Sequence, residues 1–141
     1  KFKLDNLDEG SYIMYITATA SGEDAATVKT SAFTVVSAAA VTLTGYTPPT
    51  SITKGKSYSF SGTLKSGSPI TKVRGVVTDV STGKTEIDVS HTASSVTSQS
   101  LSKLNGLVKF GTLTTGTKKF AIIVTTSAGT VTVREDEFKV V

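Results

Sequence analysis

Phe110-Gly-Thr-Leu-Thr-Thr-Gly116, the alternating run from Phe120 to Thr126 and the closing Phe138-Lys-Val-Val141 restate, in altered form, the opening of the same chain. Their counterparts are Phe2-Lys-Leu-Asp-Asn-Leu-Asp-Glu-Gly10, the run from Tyr12 to Ala20, and Phe33-Thr-Val-Val36. Phe33 falls on Phe138 at an offset of roughly 105 residues, the length of one β-sandwich module. The chain therefore reads as residues 1–38, the C-terminal part of an incomplete module, followed by residues 39–141, a complete one. Within the first copy, Tyr12, Met14, Ile16 and Ala18 alternate with Ile13, Tyr15, Thr17 and Thr19, the period-2 pattern of a strand, and Ser21-Gly-Glu-Asp24 turns the chain. The apolar positions change parity between Val28 and Phe33/Val35, and again between Val131/Val133 and Phe138/Val140. An extra residue, a β-bulge, is expected at matching places in both copies.

The complete copy can be counted out strand by strand. After a small linker, Ser37-Ala-Ala-Ala40, come Val41 to Tyr46, a turn at Pro48 and Pro49, and a short run near Ile52. A strand is expected from Lys56 to Leu64, with Tyr58, Phe60 and Leu64 on one face. Ser66-Gly-Ser-Pro69 reads as a turn, and Ile70 to Asp79 as a strand with Val73, Gly75 and Val77 inward and Lys72, Arg74 and Val76 outward. Ser81-Thr-Gly83 turns into Glu86 to Ser90. Residues His91 to Ser100 are polar and aperiodic, a loop or weak edge strand. Leu101, Leu104, Leu107 and Phe110 recur at every third position, which suits a turn or two of helix capped by Ser102. With the Phe120 to Thr126 strand and the last one, the count is about seven strands, the signature of an all-β, Ig-like β-sandwich preceded by the C-terminal strands of another copy.

Composition narrows the chemistry. Among 141 residues there is no cysteine, which excludes a disulfide framework, thiol chemistry and thiolate metal sites. No apolar run approaches the ~20 residues of a spanning helix, so no membrane span is expected. No charged segment followed by an apolar one opens the chain, so any secretion signal would lie upstream or have been removed. The net charge is +4, carried unevenly: Asp5, Asp8, Glu9, Glu23 and Asp24 outnumber Lys1, Lys3 and Lys29 in the first forty residues, and the basic excess lies beyond them. Lys54, Lys56, Lys65, Lys72, Arg74 and Lys84 dominate that excess. They read either as charged strand edges that discourage aggregation or as a surface for an anionic wall polymer or glycan.

No catalytic or cofactor constellation is legible. His91 is the only histidine, there is no Gly-x-Ser-x-Gly elbow, and a metal site lacks a second imidazole. Asp79-Val-Ser-Thr-Gly83 with Glu86 and Asp88 faintly suggests a calcium loop, but the spacing misses the pattern and a strand-to-strand turn is the simpler reading. Asp5, Asp8 and Glu9 read as a solvated acidic turn. Phosphate-cradling glycine loops are absent, and no nucleic-acid partner is expected. A sugar platform would need an exposed ring; with no Trp, and with Tyr12 and Tyr58 expected inward, Tyr15 and Tyr46 are the candidates. In the first copy Tyr12 suits the tyrosine that pins a sandwich corner; Lys118 holds that place in the second, and Leu113 is expected to substitute by packing under the turn.

The run Leu101-Ser-Lys-Leu104, then Val108-Lys-Phe110, Leu113, Gly116, an alternating strand and Phe138-Lys-Val-Val141, resembles the tandem Ig-like repeats of secreted Gram-positive (Firmicutes) cell-wall-associated proteins. Lys54-Gly-Lys-Ser-Tyr-Ser-Phe-Ser-Gly-Thr63 and Ile70-Thr-Lys-Val73 are similar to the beginning of the same repeat. Lys118 in place of an aromatic residue, and Asn105 in place of an acidic one, depart from it. The resemblance implies a non-catalytic, extracellular spacer in a larger cell-surface or secreted protein, whose partners are the neighbouring domains of the same polypeptide. It also implies an alternative, an adhesion module for wall polymer or glycan, for which Lys54, Lys56, Lys72, Arg74, Tyr15 and Tyr46 form the expected contact surface. Self-association through the incomplete first repeat is a third expectation.

Overall fold

The computed structural model describes residues 7, 10–35 and 40–141. The chain divides into two compact units, Lys1–Ser37 and Ala38–Val141. The acidic turn at Asp5, Asp8 and Glu9, and all of the expected linker except Ala40, lie outside the described residues.

In the first unit, β1 (Gly10–Ala18) and β2 (Ala26–Val35) form an antiparallel hairpin. Ile16 stands opposite Lys29 and Thr17 opposite Thr27, so Val28 has no cross-strand partner. That is the expected bulge. It reverses the parity of β2 and lets Phe33 face the same side as Tyr12, where the two rings stack at 5.7 Å and 18°.

The second unit is built from β3 (Val41–Thr44), β4 (Ser51–Ile52), β5 (Thr63–Asp79), β6 (Thr85–Ser100), β7 (Gly116–Thr126) and β8 (Gly129–Val140). The long strand β5 organises it. Its start, Thr63 to Lys65, lies between β3 and the end of β6. Past an interruption at Gly67-Ser-Pro69, residues Ile70 to Asp79 lie between β7 and the start of β6. From β7 the pairing continues to β8 and then to β4, which runs parallel to β8. By bending, β5 and β6 each contribute to both layers of an all-β, Ig-like sandwich. The β7–β8 ladder repeats the irregularity of the first unit: Ile122 faces Arg134 and Ile123 faces Thr132, leaving Val133 unpaired.

Between the layers lies an aromatic cluster. The Phe110 ring meets Tyr58, Phe60, Phe120 and Phe138 edge-on at 5.5–6.1 Å between centroids. Phe60, Phe110, Phe120 and Phe138 are buried, and each such ring stabilises the fold by roughly 2–3 kcal/mol before its ordering entropy is deducted. Val73, Gly75 and Val77 face inward as the alternation predicts. Gly75 is required by packing: a methyl group there would come within 3.1 Å of Val108 and 3.2 Å of the Phe120 ring.

Several local expectations are corrected or sharpened. The strand predicted over Lys56–Leu64 begins only at Thr63, because the Asn105 side chain takes a strand's place beside Phe60. Asn105 Oδ1 accepts from Phe60 N at 3.0 Å, and Nδ2 donates to Phe60 O at 2.9 Å. With 63–64 joined to Ile70–Asp79 as one bent strand, the described residues of the second unit carry six strands instead of about seven. Of the two alternatives for His91 to Ser100, the edge strand is the one formed: it continues β6 and pairs with β5, its alternation broken by a bulge around Ala93 to Ser95, where Ser95 takes φ 52°. The predicted helical turn is a 3₁₀ turn over Leu101–Leu104, capped by Ser100, whose side chain accepts from Ser102 N. Leu107 is exposed and Val108 takes the buried position.

Candidate functional site

On β7 the inward parity that buries Phe120, Ile122 and Val124 also carries Lys118 into the fold, where its side chain has no solvent exposure. An ammonium group has three protons to place and tolerates burial only when all find acceptors and its charge is matched. Here Nζ donates to Asp79 Oδ2 at 2.5 Å, to Glu86 Oε1 at 2.7 Å and to Thr114 Oγ1 at 2.7 Å. Asp79 is the cross-strand partner of Lys118 at the end of β5, Glu86 stands near the start of β6, and Thr114 lies in the segment leading to β7.

The acids are themselves held from outside the pair. Asp79 closes the β5–β6 turn: its Oδ1 accepts from Ser81 Oγ at 2.6 Å, from Thr82 N at 2.9 Å and from Thr82 Oγ1 at 2.9 Å. Gly83, at φ 71°, supplies the left-handed residue of that turn and donates its N–H to Asp79 O. Glu86 Oε2 accepts from Thr114 N at 3.0 Å, and Oε1 accepts from Thr114 Oγ1. Hydrogen bonds from Lys118, Ser81 and Thr82 hold the Asp79 carboxyl well below the usual range. Burial alone would raise Glu86, but hydrogen bonds from Lys118 and Thr114 outweigh it and leave the group lowered. Burial alone would likewise lower Lys118, yet bonds and charge from Asp79 and Glu86 raise it. Two carboxylates and one ammonium leave the cluster with one formal negative charge.

Lys118 therefore pins the corner ionically, where loss of the tyrosine predicted that packing by Leu113 alone would substitute. Leu113 is buried as expected, but it does not carry the polar tie. The signal lies in the sequence: a lysine on the inward parity of a core strand needs an acid, and Asp79 and Glu86 flank the turn at Ser81-Thr-Gly83. The calcium reading of the same segment is not favoured by its geometry. Asp79 and Glu86 turn toward Lys118, whereas Asp88 binds Arg74 through two hydrogen bonds of 2.5 and 2.6 Å on an exposed face. Among the described residues, no group of three acidic, histidine or cysteine side chains is placed to hold a metal ion. His91 sits half-buried on β6 opposite Val73.

The expected contact residues are spread out. Lys54 N donates to Val141 O, beside the Gly116 end of β7, with Lys56 close by in sequence. Lys72 and Arg74 pair with Thr125 and Ile123 toward the other end of that strand, on the order of 25 Å away at strand rise. Arg74 is already matched by Asp88. Tyr15 stands 63% exposed on β1 in the first unit. Tyr46 packs edge-on against Phe60 at 6.4 Å, and its buried hydroxyl lies near the Asp136 carboxylate without a hydrogen bond of ordinary geometry. Burial, then the charge of Asp136, push that phenol upward. It borders a groove of about 260 Å³ lined by Val41, Leu43, Gly45, Val133 and Arg134, so its ring serves packing more than display.

No protein-family model matches the chain, and no curated protein is similar to it. What fold and site define is a class: an all-β, Ig-like sandwich domain with an ion cluster in its corner. Among the described residues no helix is long and apolar enough to cross a membrane.

Proposed function

We propose that the chain is a non-catalytic, extracellular Ig-like repeat segment that serves as a structural spacer in a larger cell-surface or secreted protein, of the kind found in tandem in Gram-positive wall-associated proteins. The observation that carries this reading is the recurrence of one hairpin. β1–β2 and β7–β8 share their pairing, their opening glycines Gly10 and Gly116, and a bulge at Val28 and Val133. In the second unit β5 and β4 flank that hairpin, and we read β1–β2 as the same terminal element of a preceding repeat. Tandem repeats whose interiors are filled with side chains, and whose charges are dispersed or paired, suit distance-keeping better than recognition.

The test is sedimentation of the purified chain with isolated Gram-positive cell wall at low salt and again at ~0.5 M salt, where charge-driven contacts are screened. A spacer leaves the chain in the supernatant under both conditions. Saturable binding at low salt that collapses at high salt would replace this reading with the adhesive one, through Lys54, Lys56 and Lys72.

A further inference from the structure

We propose that Asn105-Gly106 is a self-modification site: the Asn105 side-chain amide loses ammonia through a succinimide, and the clamp on Phe60 holds this reaction back until the second unit opens locally. The sequence supplies the reactive pair, an asparagine followed by the one residue type without a side chain. Gly106 is exposed, a Cβ there would meet nothing within 4 Å, and its N–H has no acceptor among the described residues. That nitrogen is uncrowded and uncommitted, as an attacking group must be. The fold withholds its target. Asn105 is helical, at φ −56° and ψ −39°, with its own N–H donated to Ser102 O at 3.0 Å. Its Oδ1 accepts from Phe60 N and its Nδ2 donates to Phe60 O. With the backbone and both amide atoms fixed, Cγ is kept from swinging over to Gly106 N, and ring closure waits for the clamp to release.

The chemistry needs water and no other reagent. Solvent hydroxide removes the Gly106 amide proton, the nitrogen lone pair forms the N–Cγ bond, and the Cγ–Nδ2 bond breaks. Nδ2 leaves as ammonia with a proton from water, which restores the hydroxide. Water then opens the ring at one of its two carbonyls. Cleavage at Cγ gives aspartate; cleavage at the backbone carbonyl gives isoaspartate, in which the main chain runs through Cβ and Cγ. Either product damages the clamp. Aspartate can accept from Phe60 N but offers no donor to Phe60 O, so two acceptors face each other. Isoaspartate lengthens the main chain inside the turn where Leu107 N and Val108 N both donate to Leu104 O at 2.9 Å, and Leu104 and Val108 are buried in the core. Opening thus permits the modification, and the modification favours further opening. Because the ammonia is lost, a converted chain keeps a record of having opened.

The test incubates the folded full chain, and the same chain unfolded in urea, side by side in mildly alkaline buffer. Trypsin, cutting after Lys103 and Lys109, then frees the peptide Leu104–Lys109, whose asparagine, aspartate and isoaspartate forms separate by chromatography and mass. Conversion is expected in urea, and in the folded chain at a rate lower by about tenfold or more. Gly106→Ala, whose added methyl group meets open space, should slow the conversion in urea. Folded protein in which the peptide has converted should unfold at lower urea and exchange the Phe60 amide faster than fresh protein. Equal rates in the folded and unfolded chains overturn the restraint by the clamp. Persistence of asparagine in urea overturns the site, and a converted chain with the fresh protein's urea midpoint and Phe60 exchange overturns the consequence. The wild-type chain decides all three even if the variant fails to fold.

Discussion

The hairpins β1–β2 and β7–β8 have nearly the same backbone and opposite surroundings. Both start at a glycine, both place a phenylalanine of the second strand opposite the third residue of the first, and both bulge at the same step. In the second unit that residue is Lys118, buried, with Phe120, Ile122 and Val124 behind it in a closed core. In the first it is Tyr12, half-buried against Phe33, while Ile13, Tyr15, Ile16 and Val28 are 43–66% exposed. Strand pairing and bulge placement thus follow from the local pattern, whereas burial depends on what the rest of the module brings to the same surface.

The strongest way to break this contrast is to delete matched side chains. Phe120→Ala should destabilise the second unit by about 4 kcal/mol in urea unfolding, through lost transfer energy and the cavity among Phe60, Phe110 and Gly75. Met14→Ala, at the matching position of β1, should cost about 1 kcal/mol or less. Equal losses would mean that the face of β1–β2 is as well covered as that of β7–β8. Of intermediate size is the Asn105 clamp, which the first unit lacks among its described residues. Asn105→Ala should cost about 2 kcal/mol and speed hydrogen exchange at the Phe60 amide, since that N–H loses the acceptor it has among the described residues. Unchanged exchange there would show that the backbone finds a substitute.

The smallest effect is acid dependence. Glu86 is lowered in the fold, so at falling pH the unfolded chain takes up its proton first. The stabilisation Glu86 gives is complete above the ordinary glutamate range, about pH 4–5, and is lost as the pH drops through its depressed value. The thermal midpoint of the second unit should therefore fall on acidification, and fall less steeply in Glu86→Gln. An identical slope in both proteins would remove Glu86 from the account.

Much of the architecture was legible because period-2 alternation survives in β1, β7 and the later part of β5. The paired parity changes even located the two bulges. The strand over His91 to Ser100 was obscured by its own bulge, since an extra residue scrambles alternation in the row where it lies. The extended segment before Thr63 has strand-like apolar spacing but bonds to a side chain, and periodicity does not distinguish a ladder from an amide clamp. The corner cluster failed for a different reason. Asp79, Glu86 and Lys118 are separated by up to 39 positions, and only the β5–β7 register brings them together. Lys54 and Lys72 were grouped by nearness in sequence, and the same register pulls them apart.

The parallel pairing of β4 with β8 has a consequence under tension. Lys139 N donates to Thr50 O, Val141 N to Ile52 O, and Lys54 N to Val141 O, at 3.1, 3.0 and 2.7 Å. When a load draws the front of this unit and its last residue in opposite directions, parallel neighbours slide lengthwise past each other, so these bonds share the force at once and do not peel open one after another. A bead fastened this way gives at a threshold, and below it transmits pull with little change in length.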